Sequence, residues 1–257
     1  MEYIDHHGRE TAYRYAARGG RDTTCVFVHG SGADHRVWKS QDRLARDMAI
    51  AAIDLSGHGD SDDIATPPGS ETLDRYAEDV QAVFEAVDGD VLVGNSLGGA
   101  VSMWVALEYE CDLTGMCLVG TGAKLAVHER IRRMLSEDFD TAVETLHRPG
   151  WLLKEPESPL GEASRQAMYE VGRRITERDF LTCHKFDIRD RLDEIEVETL
   201  TIGGMDDRLT PPWYHEFLDE QIPQSRLVLV DDAAHLLMLE EPETFNEHLA
   251  AFVDELS

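Results

Sequence analysis

The chain predicts an α/β protein with a mostly parallel, eight-stranded sheet covered by helices on both faces. Three observations carry this. Short apolar runs that end in glycine alternate with helical segments along most of the 257 residues, and such alternation buries parallel strands on both sides. One of these runs, D-V-L-V-G-N-S-L-G-G-A (90–100), passes from strand to helix through a serine set among glycines. The alternation then breaks between 121 and 190, which reads as charged and helical with no strand.

In order, residues 1–18 read as a pair of strands with a turn at Asp5–Gly8. T-T-C-V-F-V-H-G (23–30) is a buried strand, and a helix from about His35 to Arg46 places Trp38 and Leu44 on one side. A-I-A-A-I-D (49–54) is the next strand, ending in L-S-G-H-G-D-S-D; an amphipathic helix covers about Glu71 to Val87. Strand 90–95 leads into an Ala-rich helix that runs to Glu108, and 113–120 is a further strand. Strands 197–204 and 226–231 follow, with helices over 211–220 and 242–255. The economical division is a core domain of 1–120 and 191–257, with 121–190 inserted as a helical cap over the strand ends. No repeat, low-complexity segment or Pro/Gly-rich linker marks another domain.

Composition narrows the function classes. Asp plus Glu is 51 against 24 Lys plus Arg, a formal net charge of −27, and only four residues are lysine: Lys39, Lys124, Lys154 and Lys185. Such a surface repels nucleic acid and anionic membranes. The carboxylates are scattered, and hydrophobic content is 42%, so a folded chain is expected. Self-repulsion of this size is screened at molar salt, where the Debye length is about 3 Å. The acidic, lysine-poor composition resembles that of proteins from salt-in halophiles. No apolar run approaches the roughly 18 residues of a membrane span, and the N-terminus lacks the pattern of a signal peptide. A cytoplasmic location is expected. Cys25, Cys111, Cys117 and Cys183 have no metal-binding spacing and read as small apolar residues in a reducing compartment.

G-N-S-L-G (94–98) has the G-x-S-x-G form of a nucleophile elbow, in which a strained turn projects the serine oxygen and the flanking positions must be small. The N–H of Leu97, at the start of the following helix, is placed to donate to an oxyanion. A serine nucleophile needs a base and an acid. His235 lies in the loop after strand 226–231, and the loop after strand 197–204 offers both Asp206 and Asp207.

With these residues the chain resembles the α/β-hydrolase fold along nearly its whole length. The motifs are H-G-S-G (29–32), S-G-H-G-D-S (56–61), G-N-S-L-G-G (94–99), G-G-M-D-D-R-L-T-P (203–211) and D-A-A-H (232–235). The resemblance implies a Ser96–Asp207–His235 triad. Members carry the acid in a G-x-x-D-x-x-x-P pattern, which Gly204, Asp207 and Pro211 fit; Asp206 is one position early. The alternative acid position, after strand 113–120, reads G-T-G-A-K and holds no carboxylate. The second oxyanion N–H is implied to be that of Ser31, while His29 and His58 are read as structural.

No metal arrangement, P-loop or dinucleotide fingerprint is present, so no cofactor is implied. The expected reaction is hydrolysis of small or medium carboxylic esters through an acyl-enzyme. Carbon–carbon bond, thioester and lactone hydrolysis use the same machinery, a perhydrolase side activity needs only the triad, and a non-catalytic receptor of the same fold is the reading from another class. Asn95 beside Ser96 is similar to the G-N-S-x-G-G of carbon–carbon hydrolases, but those carry Trp after the histidine where this chain has Leu236. Ser at the elbow in place of Asp disfavours dehalogenase and epoxide hydrolase chemistry. Expected pocket walls are Leu125, Ile131, Met134, Leu135, Trp151, Leu152, Met168 and Tyr169 from the insertion, with Leu236 and Leu237 after the base. The expected partner is a small ester alone, and the chain a monomer or homodimer.

Overall fold

In the central strands, neighbouring side chains go to opposite faces, so a strand covered on both sides is apolar along most of its length. The computed structural model describes residues 1–20 and 22–256; Arg21 and Ser257, within the expected core ranges, lie outside the described residues. β3 (Thr24–Val28), β4 (Ala49–Ile53), β5 (Val91–Asn95) and β6 (Gly115–Val119) are buried throughout. Cys25, Phe27, Val91 and Val93 join the hydrophobic cluster on one face, and Val26, Val28 and Leu92 join that on the other.

The sheet has eight strands in the order β1-β2-β4-β3-β5-β6-β7-β8. The opening hairpin, β1 (Glu2–His6) and β2 (Arg9–Ala16), is antiparallel and pairs antiparallel with β4. The pairs from β4 through β7 (Glu198–Gly204) to β8 (Ser225–Val230) are parallel. Parallel strands send their C-terminal loops to one edge of the sheet. The loops after β3, β5, β7 and β8 therefore emerge together.

Helices α1 (Ser70–Ala86), α2 (Leu97–Glu108) and α7 (Pro212–Gln221) cover one face. The short α8 (Leu237–Glu240), α9 (Pro242–Glu255) and segment His35–Arg46 cover the other. His35–Arg46, expected as a helix, winds as a 3-10 helix. Its buried Trp38, Gln41 and Leu44 recur every third residue, the period of that winding.

Between β6 and β7 the chain forms four α-helices, α3 (Glu129–Glu137), α4 (Phe139–Leu146), α5 (Pro159–Val171) and α6 (Arg173–Lys185), followed by a 3-10 helix, Arg189–Glu194. The ends of this insertion meet at an isolated antiparallel bridge between Lys124 and Asp187, whose side chains pair at 2.8 Å. Among the described residues, no helix is long and apolar enough to cross a membrane.

Candidate active site

One residue, Ser96, separates β5 from α2, at φ +54° and ψ −113°. This backbone region is costly for a side-chain-bearing residue and persists only where the surroundings over-determine it. Here the Ser96 N–H donates to the Val119 carbonyl at 2.9 Å, and Thr121 Oγ1 donates to the Ser96 carbonyl at 2.8 Å. The glycines allow the close approach. A Cβ on Gly94 would stand 2.3 Å from the Gly98 oxygen, and one on Gly98 would stand 2.2 Å from the Val28 oxygen.

His235 and Asp207 come from the adjoining loops after β8 and β7. His235 Nδ1 lies 2.9 Å from Asp207 Oδ2, and both residues are buried. Asp207 also accepts from the N–H groups of Leu209 (2.7 Å) and Thr210 (2.9 Å) and from Thr210 Oγ1 (2.7 Å). Burial pushes the Asp207 carboxyl up, but His235 and the Thr210 donors outweigh it and hold the group below its ordinary value. An ionised carboxylate only accepts. It therefore fixes the His235 proton on Nδ1 and leaves Nε2 with the lone pair a base requires. Asp206 instead is exposed and lies 3.6 Å from Lys154 Nζ. Gly204 lets the two loops touch: a Cβ there would be 2.2 Å from the Ala233 oxygen.

The loop after β3 lies against the elbow, since a Cβ on Gly30 would be 3.2 Å from Ser96 Cβ. His29 is fully buried; its Nε2 accepts from the Leu55 N–H at 3.1 Å and its Nδ1 meets the Gly30 carbonyl at 2.9 Å. Burial pushes its pKa down to about 4, so a neutral ring braces the loop. Ser31 lines the cavity described below, and Leu97 opens α2. Among the described residues, neither the Ser31 nor the Leu97 N–H meets a backbone acceptor.

The insertion meets all of these loops. The Arg208 N–H donates to the Gly150 carbonyl (2.9 Å), and the His235 and Leu236 N–H groups donate to those of Trp151 (3.4 Å) and Leu152 (2.9 Å). Glu240 joins the two segments by accepting from the N–H groups of Lys154 (2.6 Å) and Ala234 (2.7 Å). On α6, the buried Asp179 carboxylate accepts from the Gly32 N–H at 3.3 Å, meets His58 Nε2 at 2.9 Å, and accepts from Tyr76 Oη at 2.6 Å. Burial opposes charge on both His58 and Asp179. Their attraction prevails, raising the histidine and lowering the acid.

Ser96, His235 and Ser31 share a cavity of about 500 Å³. Trp151 and Leu236, expected on its wall, line it, as do Leu125, Ile131, Leu152 and Met168. Met134, also expected there, is absent from the wall. It is buried in the core cluster, with its sulfur 3.8 Å from Thr145 Oγ1, because α3 turns Ile131 to the cavity and Met134 toward α4. Leu135 and Leu237 are likewise buried in that cluster, and Tyr169 is exposed beside Phe139.

Sequence reasoning missed Thr210, Glu240, Gly150 and Asp179. Thr210 sits between the acid and Pro211, a position that marks it; the others carry no local signal. Cys183 lines the cavity as a thiol whose pKa burial pushes up to about 12. The donor atoms of Asp34, His35 and Asp54 lie within 4.8 Å of one another. Arg36 engages Asp34, however, and His35 engages Asp54, so this cluster is satisfied from within.

A family model described as the alpha/beta hydrolase family matches residues 25–248. The chain is 28% identical over 254 residues to the pimeloyl-[acyl-carrier protein] methyl ester esterase of Neisseria meningitidis, covering 89% of this chain and 76% of that protein. It is 27% identical over 271 residues to the 2-hydroxy-6-oxo-6-(2'-aminophenyl)hexa-2,4-dienoic acid hydrolase of Metapseudomonas resinovorans, covering 98% and 90%. The solved structure of a thermophilic esterase superimposes with a TM-score of 0.86 at 30% identity, covering 100% of this chain and 98% of that one. With eight strands in this order and a family match over most of its length, the chain is a hydrolase that belongs to the alpha/beta hydrolase family.

Proposed function

We propose that the protein hydrolyses carboxylic esters of small or medium size through an acyl-enzyme on Ser96. The observation that carries this reading is the buried His235–Asp207 pair, 2.9 Å apart, whose histidine lines the same cavity as the strained serine. His235 Nε2 takes the Ser96 proton as Oγ attacks the carbonyl carbon, and Asp207 stabilises the imidazolium. The N–H groups of Leu97 and Ser31 hold the oxyanion. His235 then protonates the leaving alcohol, and water repeats the sequence to release the acid.

In this reading 121–190 is the cap, with Trp151 and Leu236 on the substrate wall, and the acidic surface suits a salt-rich cytoplasm. The likeness to two esterases supports the ester class. Carbon–carbon hydrolysis is favoured by Asn95, but this chain has Leu236 after the histidine. Asn95 Nδ2 donates to the Val119 carbonyl at 3.2 Å, which gives it a structural task.

The test is turnover of 4-nitrophenyl esters from acetate to decanoate, in low and molar KCl, by the wild type and Ser96→Ala. Serine-dependent turnover is expected, with a fall in kcat of roughly 10⁴-fold or more in the variant. Turnover retained by folded Ser96→Ala would sink the assignment.

A further inference from the structure

The cavity wall is largely apolar, but its charged members invert the balance of the chain. The sequence has 51 acidic residues against 24 Lys and Arg. The wall has one acid, Asp34, beside Arg36, Lys39 and Arg208. Asp34 is engaged with Arg36, whose Nη2 lies 2.6 Å from Asp34 Oδ2 and 2.5 Å from Glu170 Oε2. Lys39 and Arg208 remain. Both are exposed, and among the described residues no ion pair engages either of them. Asp206, two positions before Arg208, belongs to Lys154.

Both cations are placed by the fold. Lys39 follows Arg36 by three residues on the 3-10 helix His35–Arg46, so the two share its cavity-facing side. Arg208 follows the acid directly, and its N–H is tied to the Gly150 carbonyl. Gly150, at φ +78°, leaves room for the guanidinium: a Cβ there would lie 3.0 Å from Arg208 Nε.

The net charge of −27 opposes an anionic ligand at long range. That repulsion is screened beyond about 8 Å at physiological ionic strength. Lys39 and Arg208, exposed and lining the cavity, stand beside an apolar wall that concentrates their field on a ligand held there.

We propose that the substrate is an anionic ester. Its carboxylate sits at the mouth against Lys39 and Arg208, its apolar body lies along Trp151, Leu152 and Leu236, and its scissile carbonyl reaches Ser96. This rests on the ester-hydrolase reading and adds a substrate class to it. One exposed ion pair contributes little, so the two together are expected to give about tenfold.

The experiment compares esters matched except for charge, at fixed ionic strength. 4-Nitrophenyl hydrogen adipate is set against 4-nitrophenyl hexanoate, and 4-acetoxybenzoate against its methyl ester. These place the carboxylate on the acyl and the alcohol side. In at least one pair the anion is expected to have the higher kcat/KM, by about tenfold. Lys39→Gln/Arg208→Gln is expected to erase most of that ratio. A neutral ester preferred in both pairs, or a ratio the double variant leaves standing, would overturn the proposal.

Calorimetry on Ser96→Ala separates this proposal from the reading beneath it. Monomethyl adipate is expected to bind about tenfold tighter than methyl hexanoate, and the gap is expected to close when Lys39 and Arg208 are also replaced by Gln. Equal binding overturns the anion site. Ester turnover with no anion preference sinks the anion site alone, and preference for monomethyl adipate over methyl hexanoate with no turnover sinks the esterase reading alone.

Discussion

The sheet body and the helical insertion between β6 and β7 contribute to the same cavity by different rules. In the body, period and strand order place the side chains. β7 and β8 are parallel neighbours, so Asp207 and His235 meet; β3 and β5 are parallel neighbours, so the Ser31 loop lies against Ser96. In the insertion no such period operates. Its segment 150–152 hands three carbonyls to the acid and base loops, and α6 hands Asp179 to the loop after β3. The body thus supplies the candidate reacting groups, while the insertion holds the loops that carry them as well as walling the cavity.

Three measurements sharpen or break this contrast. The largest effect is expected within the body. Asp207→Asn should lower kcat by roughly 10⁴-fold, through the wrong imidazole tautomer. Asp206→Asn, beside it on the exposed side, should leave kcat within about twofold of wild type. Equal losses in steady-state kinetics would break the assignment of the acid.

A smaller effect is expected from the insertion. Loss of one oxyanion donor costs about 10²–10³ in kcat. Asp179→Asn only loosens the Gly32 tether beside Ser31, so a fall of roughly 10- to 100-fold in kcat is expected, with KM little moved. Affinity for a trifluoromethyl ketone, which mimics the oxyanion, should fall in step. A rise in KM at unchanged kcat would instead make α6 a wall and nothing more.

The smallest effect is in stability against pH. In the body, burial holds His6, His29 and His215 down to about 4, against 6.5 for an unperturbed ring. As pH falls from 6.5 toward 4, the unfolded chain binds protons that these folded rings refuse, so their contribution to stability is lost. His58, raised by Asp179 of the insertion, acts with opposite sign. It adds stability below 6.5 that is lost as pH rises through its folded value. With His147 and His184 also held down, five lowered rings outnumber the two raised ones, His35 and His58, and above pH 5 most carboxylates remain ionised. Tm should therefore fall from pH 6.5 to 5, and a level Tm would show that the raised rings balance the lowered ones.

The strands, their glycine exits, the elbow and the candidate triad were legible because each has a local mark. A fully apolar run reads as a covered strand, and Gly94, Gly98 and Gly204 stand where a Cβ would strike the backbone. Asp207 over Asp206 needed the family spacing, and the side-chain contacts then separate the two by burial and partner. Met134 fell on the wrong side because helical spacing reports which residues are apolar, not which neighbour they face. Asp179 and Glu240 are two of 51 acids, and no spacing distinguishes them.

The sequence by itself determined the parallel sheet, the helical interruption after β6 and the serine–acid–histidine order, because these depend on steric rules that act within a few residues. The tertiary structure alone decided that the insertion holds the loops carrying Asp207 and His235, that Met134 leaves the cavity wall, and that Lys39 and Arg208 line one cavity. Each of these is a contact between segments far apart in the chain, set by how the helices pack over the strand ends, and no local pattern encodes it.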